Sequence, residues 1–199
     1  MKIKKYFAYN ISAEGKIGIT DNWEECRKIV SGKPNAKYKG FKTKKEAEDW
    51  LAAGADYSLK KAMEPGIYFD SGTGRGDVEA SVTDEKGNNL LTEIIPKNQL
   101  NKFGKYHVPG RKTNNYGELL AVSLALKIAD RTKVKKIFGD SKLVINYWSK
   151  GFARTKNVSE ETMKLVKEVS ILREKFEKDG GRIGRISGDD NPADLGFHR

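Results

Sequence analysis

A single cysteine, Cys26, is all that 199 residues provide, so neither an internal disulfide nor a multi-cysteine zinc site is available. No apolar run reaches the length of a membrane span, and the start Met1-Lys2-Ile3-Lys4-Lys5 lacks the apolar stretch of a secretory leader. Internal repeats and low-complexity tracts are missing too. These absences lead us to expect a cytoplasmic protein with no membrane partner. Acidic residues are in the minority: 38 Lys and Arg face 27 Asp and Glu, for a formal net charge of +11. Such an excess favours an anionic partner, most often nucleic acid. Hydrophobic residues make up 37%, enough for a core, while 33% charged residues imply a well-solvated surface. The length suits one large domain, or one medium domain with a small module.

The chain divides near residues 54–65. In the front segment, residues 1–53, Tyr6-Phe7-Ala8-Tyr9 and Gly18-Ile19 read as strands around the turn at Ala13-Glu14-Gly15. A helix follows Asp21 or Asn22 and carries Trp23, Cys26, Ile29 and Val30, and residues 36–41 read as a third strand. Thr43-Lys44-Lys45-Glu46 is a capping-box pattern, and it opens a helix that Gly54 can end. The front segment is thus a small α+β module, with Phe41 and Trp50 in its core. Residues 54–65 show no clear period and read as a linker.

Residues 66–199 form the second part. Strands are expected at 66–70, 78–82 and 90–95, with the glycine-rich turn Ser71-Gly72-Thr73-Gly74-Arg75-Gly76 between the first two. Helical spacing marks 118–128, a fourth strand 134–138, and a helix capped by Asp140 or Ser141 runs to about Ser149. Ser159 begins a long helix whose Leu165, Val169, Leu172 and Phe176 recur at core spacing. Residues 182–186 give a fifth strand, before a terminal helix. Three antiparallel strands followed by crossover helices and parallel strands make an α/β domain with a mixed five-stranded sheet flanked by helices.

Four acidic residues in this part need a special reason. Asp70 and Asp140 each end an apolar run, in Ile67-Tyr68-Phe69-Asp70 and Ile137-Phe138-Gly139-Asp140, where a lone charge is costly unless paired or metal-bound. Glu118 sits in Asn114-Asn115-Tyr116-Gly117-Glu118-Leu119, and Asp194 in Asn191-Pro192-Ala193-Asp194. Singly, each reads as a turn residue or helix cap. If the fourth strand lies parallel to the first, Asp70 and Asp140 become neighbours at the strand spacing of about 4.8 Å. Glu118, early in the intervening helix, can point at the same spot. Converging carboxylates make a hard oxygen site of the kind magnesium or manganese occupies.

In order and spacing, these four motifs resemble type 1 ribonuclease H, over roughly residues 66–197. Thr20-Asp21-Asn22-Trp23-Glu24-Glu25-Cys26, Lys37-Tyr38-Lys39-Gly40-Phe41 and Thr43-Lys44-Lys45-Glu46-Ala47 resemble the hybrid-binding domain found ahead of many such enzymes. The resemblance implies a ribonuclease H-like fold and hydrolysis of the RNA strand of an RNA–DNA hybrid, leaving 5′-phosphate and 3′-hydroxyl ends. It also implies two Mg2+ ions, or Mn2+, with Asp70 between them and Glu118, Asp140 and Asp194 completing their shells. Such chemistry asks for no nucleophilic side chain. Many relatives carry a histidine shortly before the last acid. The two histidines here, His107 and His198, are elsewhere, and Asp190 occupies that region, which resembles the Bacillus-type branch. Asn114 and Asn115 have amides suited to reading a 2′-hydroxyl. Thr113, Asn115 and Thr155 match positions that grip a DNA-strand phosphate, with Arg154 adjacent. In the front module Trp23 and Tyr38 are stacking candidates, Phe7 lies at a matching aromatic position, and Lys39 could meet phosphate. No obligate protein partner is evident. Two other functions compete: a nuclease or transposase-like enzyme acting on DNA, and a catalytically silent hybrid- or duplex-RNA-binding protein.

Overall fold

The structure is a computed structural model that describes residues 5–56, 63–74, 76–154, 156 and 158–195. The chain divides into two compact units, residues 1–61 and 62–199.

In the first unit a three-stranded antiparallel sheet has the order β2-β1-β3, with β1 at Tyr6–Ile11, β2 at Lys16–Thr20 and β3 at Lys37–Phe41. Helices α1 (Trp23–Val30) and α2 (Lys44–Ala52) start where local chemistry dictates. The Asn22 side chain accepts from the Glu24 and Glu25 amides, and Thr43 and Glu46 complete a reciprocal capping box. Ala8, Ala47, Trp50 and Ala55 form a small core with Phe41 against it. The Trp50 indole nitrogen donates to the Asp56 carbonyl at 3.1 Å, satisfying its one polar atom. Ala55 belongs to this core, so the first unit runs past residue 53; residues 57–62 of the expected linker lie outside the described residues.

The second unit is a five-stranded sheet of order β6-β5-β4-β7-β8. Strands β4 (Ile67–Gly72), β5 (Val78–Thr83) and β6 (Tyr106–Val108) form an antiparallel meander. Strands β7 (Lys136–Gly139) and β8 (Arg182–Arg185) add in parallel on the other side of β4. Helices α3 (Asn114–Thr132), α4 (Lys142–Asn146) and α5 (Glu160–Lys178) flank it. The core joins Phe69, Leu119, Val122, Ile128, Ile137, Val144, Val169 and Phe176, with Leu165 and Leu172 packed at its margin. This is the α/β fold with a mixed five-stranded sheet and a small α+β module that the sequence implies.

Three elements differ from expectation. The third strand is β6, not residues 90–95. Those residues hold a 3-10 turn at Leu91–Glu93, with Leu91 at its start and Ile95 beyond its end both buried. The helix after Asp140 stops at Asn146, and Trp148–Lys150 is a separate 3-10 turn. The break has a visible cause: the Ser149 hydroxyl donates to the Val144 carbonyl at 2.8 Å, and buried Arg173 donates to the Ile145 carbonyl at 2.5 Å. Carbonyls that a longer helix would use are thereby satisfied from outside. Among the described residues, a 3-10 turn at Gly188–Asp190 and an irregular segment to Leu195 stand in place of the expected terminal helix.

Candidate active site

Two residues beyond the register pair Tyr68↔Phe138, β4 carries Asp70 and the chain leaving parallel β7 carries Asp140. Helix α3 brings the third acid. Thr113 caps its first turn by accepting from the Tyr116 amide at 3.2 Å, and Gly117 lies directly on β4. A Cβ at Gly117 would sit 2.6 Å from the Ser71 hydroxyl and 3.0 Å from a Val78 methyl, so only glycine lets the helix approach this closely. Glu118, the next residue, is held over the strand. Asp70, Glu118 and Asp140 each offer a carboxylate oxygen within 4.8 Å of the others.

Asp194 arrives by a different route. The buried Asn191 side chain donates to the Phe69 carbonyl at 2.9 Å and accepts from the Ala193 amide at 3.1 Å. The Leu195 amide then donates to Asp70 at 3.0 Å. These bonds fold the last described segment against β4. Asp194 lines the same cleft as the other three acids but lies outside their tight group of three. The cleft has a volume of about 580 Å³ and is also lined by Ser71, Asn114, Ser141, Ser187, Gly188 and Asp189.

Electrostatics confirm that the acids crowd one another. Burial pushes the Glu118 carboxyl up to about 9, and the nearby charges of Asp70 and Asp140 add to that, against hydrogen bonds from Ser71. Burial likewise raises Asp70 to about 6, with Asp140 and Asp194 contributing and the Leu195 amide pulling the other way. Among the described residues, Glu118 Oε2 is one of two buried side-chain polar atoms with no hydrogen-bond partner. A buried carboxylate oxygen without a partner is costly in a folded protein unless a cation takes it up. The donor set therefore fits a hard divalent cation such as Mg2+ or Mn2+.

The other sequence candidates divide. Asn114 lines the cleft and is exposed. Asn115 and Thr113 occupy the same helix start without lining it. Thr155 lies outside the described residues. Asp190 is exposed on the 3-10 turn, yet the residues of that turn lining the cleft are Gly188 and Asp189. Counting back from Asp194 could not separate the two; the clue was only the doublet in Gly188-Asp189-Asp190. In the first unit Phe7 meets Trp23 at 5.4 Å between ring centroids, and Trp23 meets Tyr38 at 5.7 Å. Trp23 and Tyr38 remain 38% and 44% exposed, which is unusual for rings that could have been core. Lys39 stands opposite Ala8 in the register, so strand alternation turns it to the other face of β3 from Tyr38.

Residues 5–51 match the family described as the Ribonuclease H1 N-terminal domain. Among solved structures, the chain is similar to the N-terminal RNase H domain of a Mycobacterium tuberculosis protein, at 20% identity over 64% of this chain and 84% of that one, with a TM-score of 0.40. It is also similar to RNase H1 from the halophilic archaeon Halobacterium salinarum, at 17% identity over 65% of this chain and 89% of that one, with a TM-score of 0.39. An RNase H1 isolated from compost by a metagenomic approach matches at 20% identity over 66% and 90%, with a TM-score of 0.43.

Proposed function

We propose that this protein is a ribonuclease H of the Bacillus-type branch, an endonuclease that hydrolyses the RNA strand of RNA–DNA hybrids and leaves 5′-phosphate and 3′-hydroxyl ends. The observation that carries this reading is the group of three carboxylates within 4.8 Å, with one buried oxygen unpaired. Asp70, Glu118 and Asp140 would hold divalent metal, two Mg2+ ions in the full site, with Asp194 contributing from the cleft wall. Divalent ions so bound supply an activated water and offset the charge of the scissile phosphate and the departing 3′ oxygen.

The chain's own residues do the rest. Burial raises the Glu118 carboxyl to about 9, so without a bound cation it holds its proton near neutral pH, which limits repulsion among the acids. Asn114, on the cleft wall, has both a donor and an acceptor, as a 2′-hydroxyl reader requires. Asn115, Thr113 and Thr155 would grip phosphate beside it. The first unit would act as a hybrid-binding domain through Phe7, Trp23 and Tyr38, with Lys39 meeting phosphate from the strand edge. Turnover help expected of Asp190 would come from the turn it shares with Asp189.

One assay tests the reading: labelled RNA–DNA hybrid, RNA duplex and DNA duplex, each with and without Mg2+. Cleavage of the hybrid's RNA strand alone, and only with metal, is expected. Cleavage of duplex DNA would favour a DNA nuclease, and binding without cleavage would favour a silent hybrid-binding protein.

A further inference from the structure

Asn191 is buried behind the segment that carries Asp194, beside β4, without lining the cleft itself. Its side chain is 6% exposed, and each end of its amide is used. Nδ2 donates to the Phe69 carbonyl at 2.9 Å, and Oδ1 accepts from the Ala193 amide at 3.1 Å. The partners are far apart in sequence, for Phe69 precedes Asp70 and Ala193 precedes Asp194. The Asn191 backbone works on the same segment: its amide donates to Gly188 at 3.0 Å, and its carbonyl accepts from the Asp194 amide at 3.1 Å. One residue further, the Leu195 amide donates to Asp70 Oδ2 at 3.0 Å.

Resting on the metal-dependent reading above, we propose that Asn191 is a positioning residue, whose amide locks the segment carrying Asp194 onto β4 and so sets both Asp194 and Asp70 for metal capture. A side-chain amide suits this task because it presents a donor and an acceptor together. Aspartate at the same position would keep the acceptor for Ala193 but set a carboxylate oxygen against the Phe69 carbonyl. Alanine would free both backbone groups and leave the segment tied by its turn and by the Leu195 amide's bond to Asp70. In either case the Leu195 amide is held less firmly against Asp70. The constraint matters because like-charged ligands do not gather by themselves; something neutral must hold them together before the cation arrives.

The test compares the parent protein with Asn191→Ala and Asn191→Asp, using Mn2+ titration by calorimetry without substrate, at a temperature where all remain folded. We expect Mn2+ affinity to fall about tenfold or more. Amide hydrogen exchange at Ala193 and Leu195 should accelerate, and kcat on hybrid should drop while KM changes less than twofold. Raising Mn2+ should restore part of kcat. Ser149→Ala serves as control, since Ser149 is buried and bonded to Arg173. It should lower Tm but leave Mn2+ affinity within twofold. If the Asn191 variants match that control in Mn2+ affinity, or bind Mn2+ like the parent, the positioning role is overturned. If the parent itself binds no Mn2+, the metal-dependent reading fails instead, and the two failures are distinguishable. A variant that does not fold is replaced in the comparison by the other, since Asn191→Asp retains one of the two side-chain bonds.

Discussion

In the first unit three aromatic rings, Phe7, Trp23 and Tyr38, stand in a row and remain partly in water. In the second, three carboxylates are packed into a cleft where, on top of burial, Asp140 raises the Asp70 carboxyl and both raise that of Glu118. The first arrangement accepts the cost of exposed apolar surface, and the second the cost of buried charge. Neither is what folding alone would select. Folding would bury Trp23 as it buries Trp50, and would pair Glu118 as it pairs Arg173 with Glu177 at 2.7 Å. The two departures ask for opposite partners: flat faces and phosphates at one, a hard cation at the other. On the proposed function the first unit adds affinity for hybrid while the second holds the chemistry, and the comparison can be broken by showing that either unit does the other's work.

Asp70→Asn should have the largest effect. Removing the central charge should reduce Mg2+-dependent cleavage roughly a thousandfold or more, while hybrid affinity stays unchanged or rises slightly because repulsion toward phosphate falls. Single-turnover cleavage and a binding titration measure the two quantities separately. Cleavage within about tenfold of the parent would break the assignment of chemistry to this cleft.

The reverse experiment removes the first unit. Deleting residues 1–61 should weaken hybrid binding roughly tenfold to a hundredfold and flatten its salt dependence, with the saturated cleavage rate within about an order of magnitude. Residues 1–54 hold 12 Lys and Arg against 7 Asp and Glu, so charge as well as ring stacking leaves with them. Trp23→Ala alone should reproduce part of the affinity loss, at about 1–3 kcal/mol, without changing the salt slope. An unchanged slope after the full deletion would move the phosphate contacts to the second unit.

The carboxylate cleft also makes a claim about stability. Glu118 and Asp70 have folded-state values raised above the ordinary carboxylate range, to about 9 and about 6. Between the ordinary value near 4 and those raised values, the folded protein holds protons that the unfolded chain has lost. Metal-free stability therefore falls as pH rises through that window. Glu118→Gln should raise metal-free stability by roughly 1–3 kcal/mol at pH 8, with the gain vanishing near pH 4. Chemical denaturation with a chelator present measures it, and a Gln variant less stable than its parent at pH 8 would contradict the crowding.

What the sequence reveals also differs between the units. Asp70 and Asp140 were legible because each closes an apolar strand, and a carboxylate there stands out. The first unit's helices were legible from Asn22 and the Thr43–Glu46 box, which act within one turn of chain. What stayed hidden depended on contacts across the fold. Residues 90–95 have the composition of a strand, but their pairing was decided by where Leu91 and Ile95 could be buried. The helix after Asp140 was cut short by Arg173, which lies in α5, far along the chain. Asn191 read only as part of a motif, because its partner at Phe69 is known only once β4 is in place.

The smallest expected effect concerns the turn at Gly188–Asp190, where sequence position favours one acid and geometry another. Asp190 holds the place, four residues before Asp194, at which an acid resembling the missing histidine is expected. Asp189 is the one that lines the cleft. Both are exposed, so neither pairs strongly with the buried acids, and screening limits what either charge can do. A group that helps product or metal leave must reach the cleft mouth, and that requirement favours Asp189. We expect Asp189→Asn to slow multiple turnover about two- to fivefold while single turnover stays within about twofold, and Asp190→Asn to leave both within about twofold. Burst-phase kinetics on hybrid, with enzyme below and then above substrate, resolve the two regimes. If Asp190→Asn gives the larger slowing of multiple turnover, release follows sequence position, and the turn must rearrange when hybrid is bound.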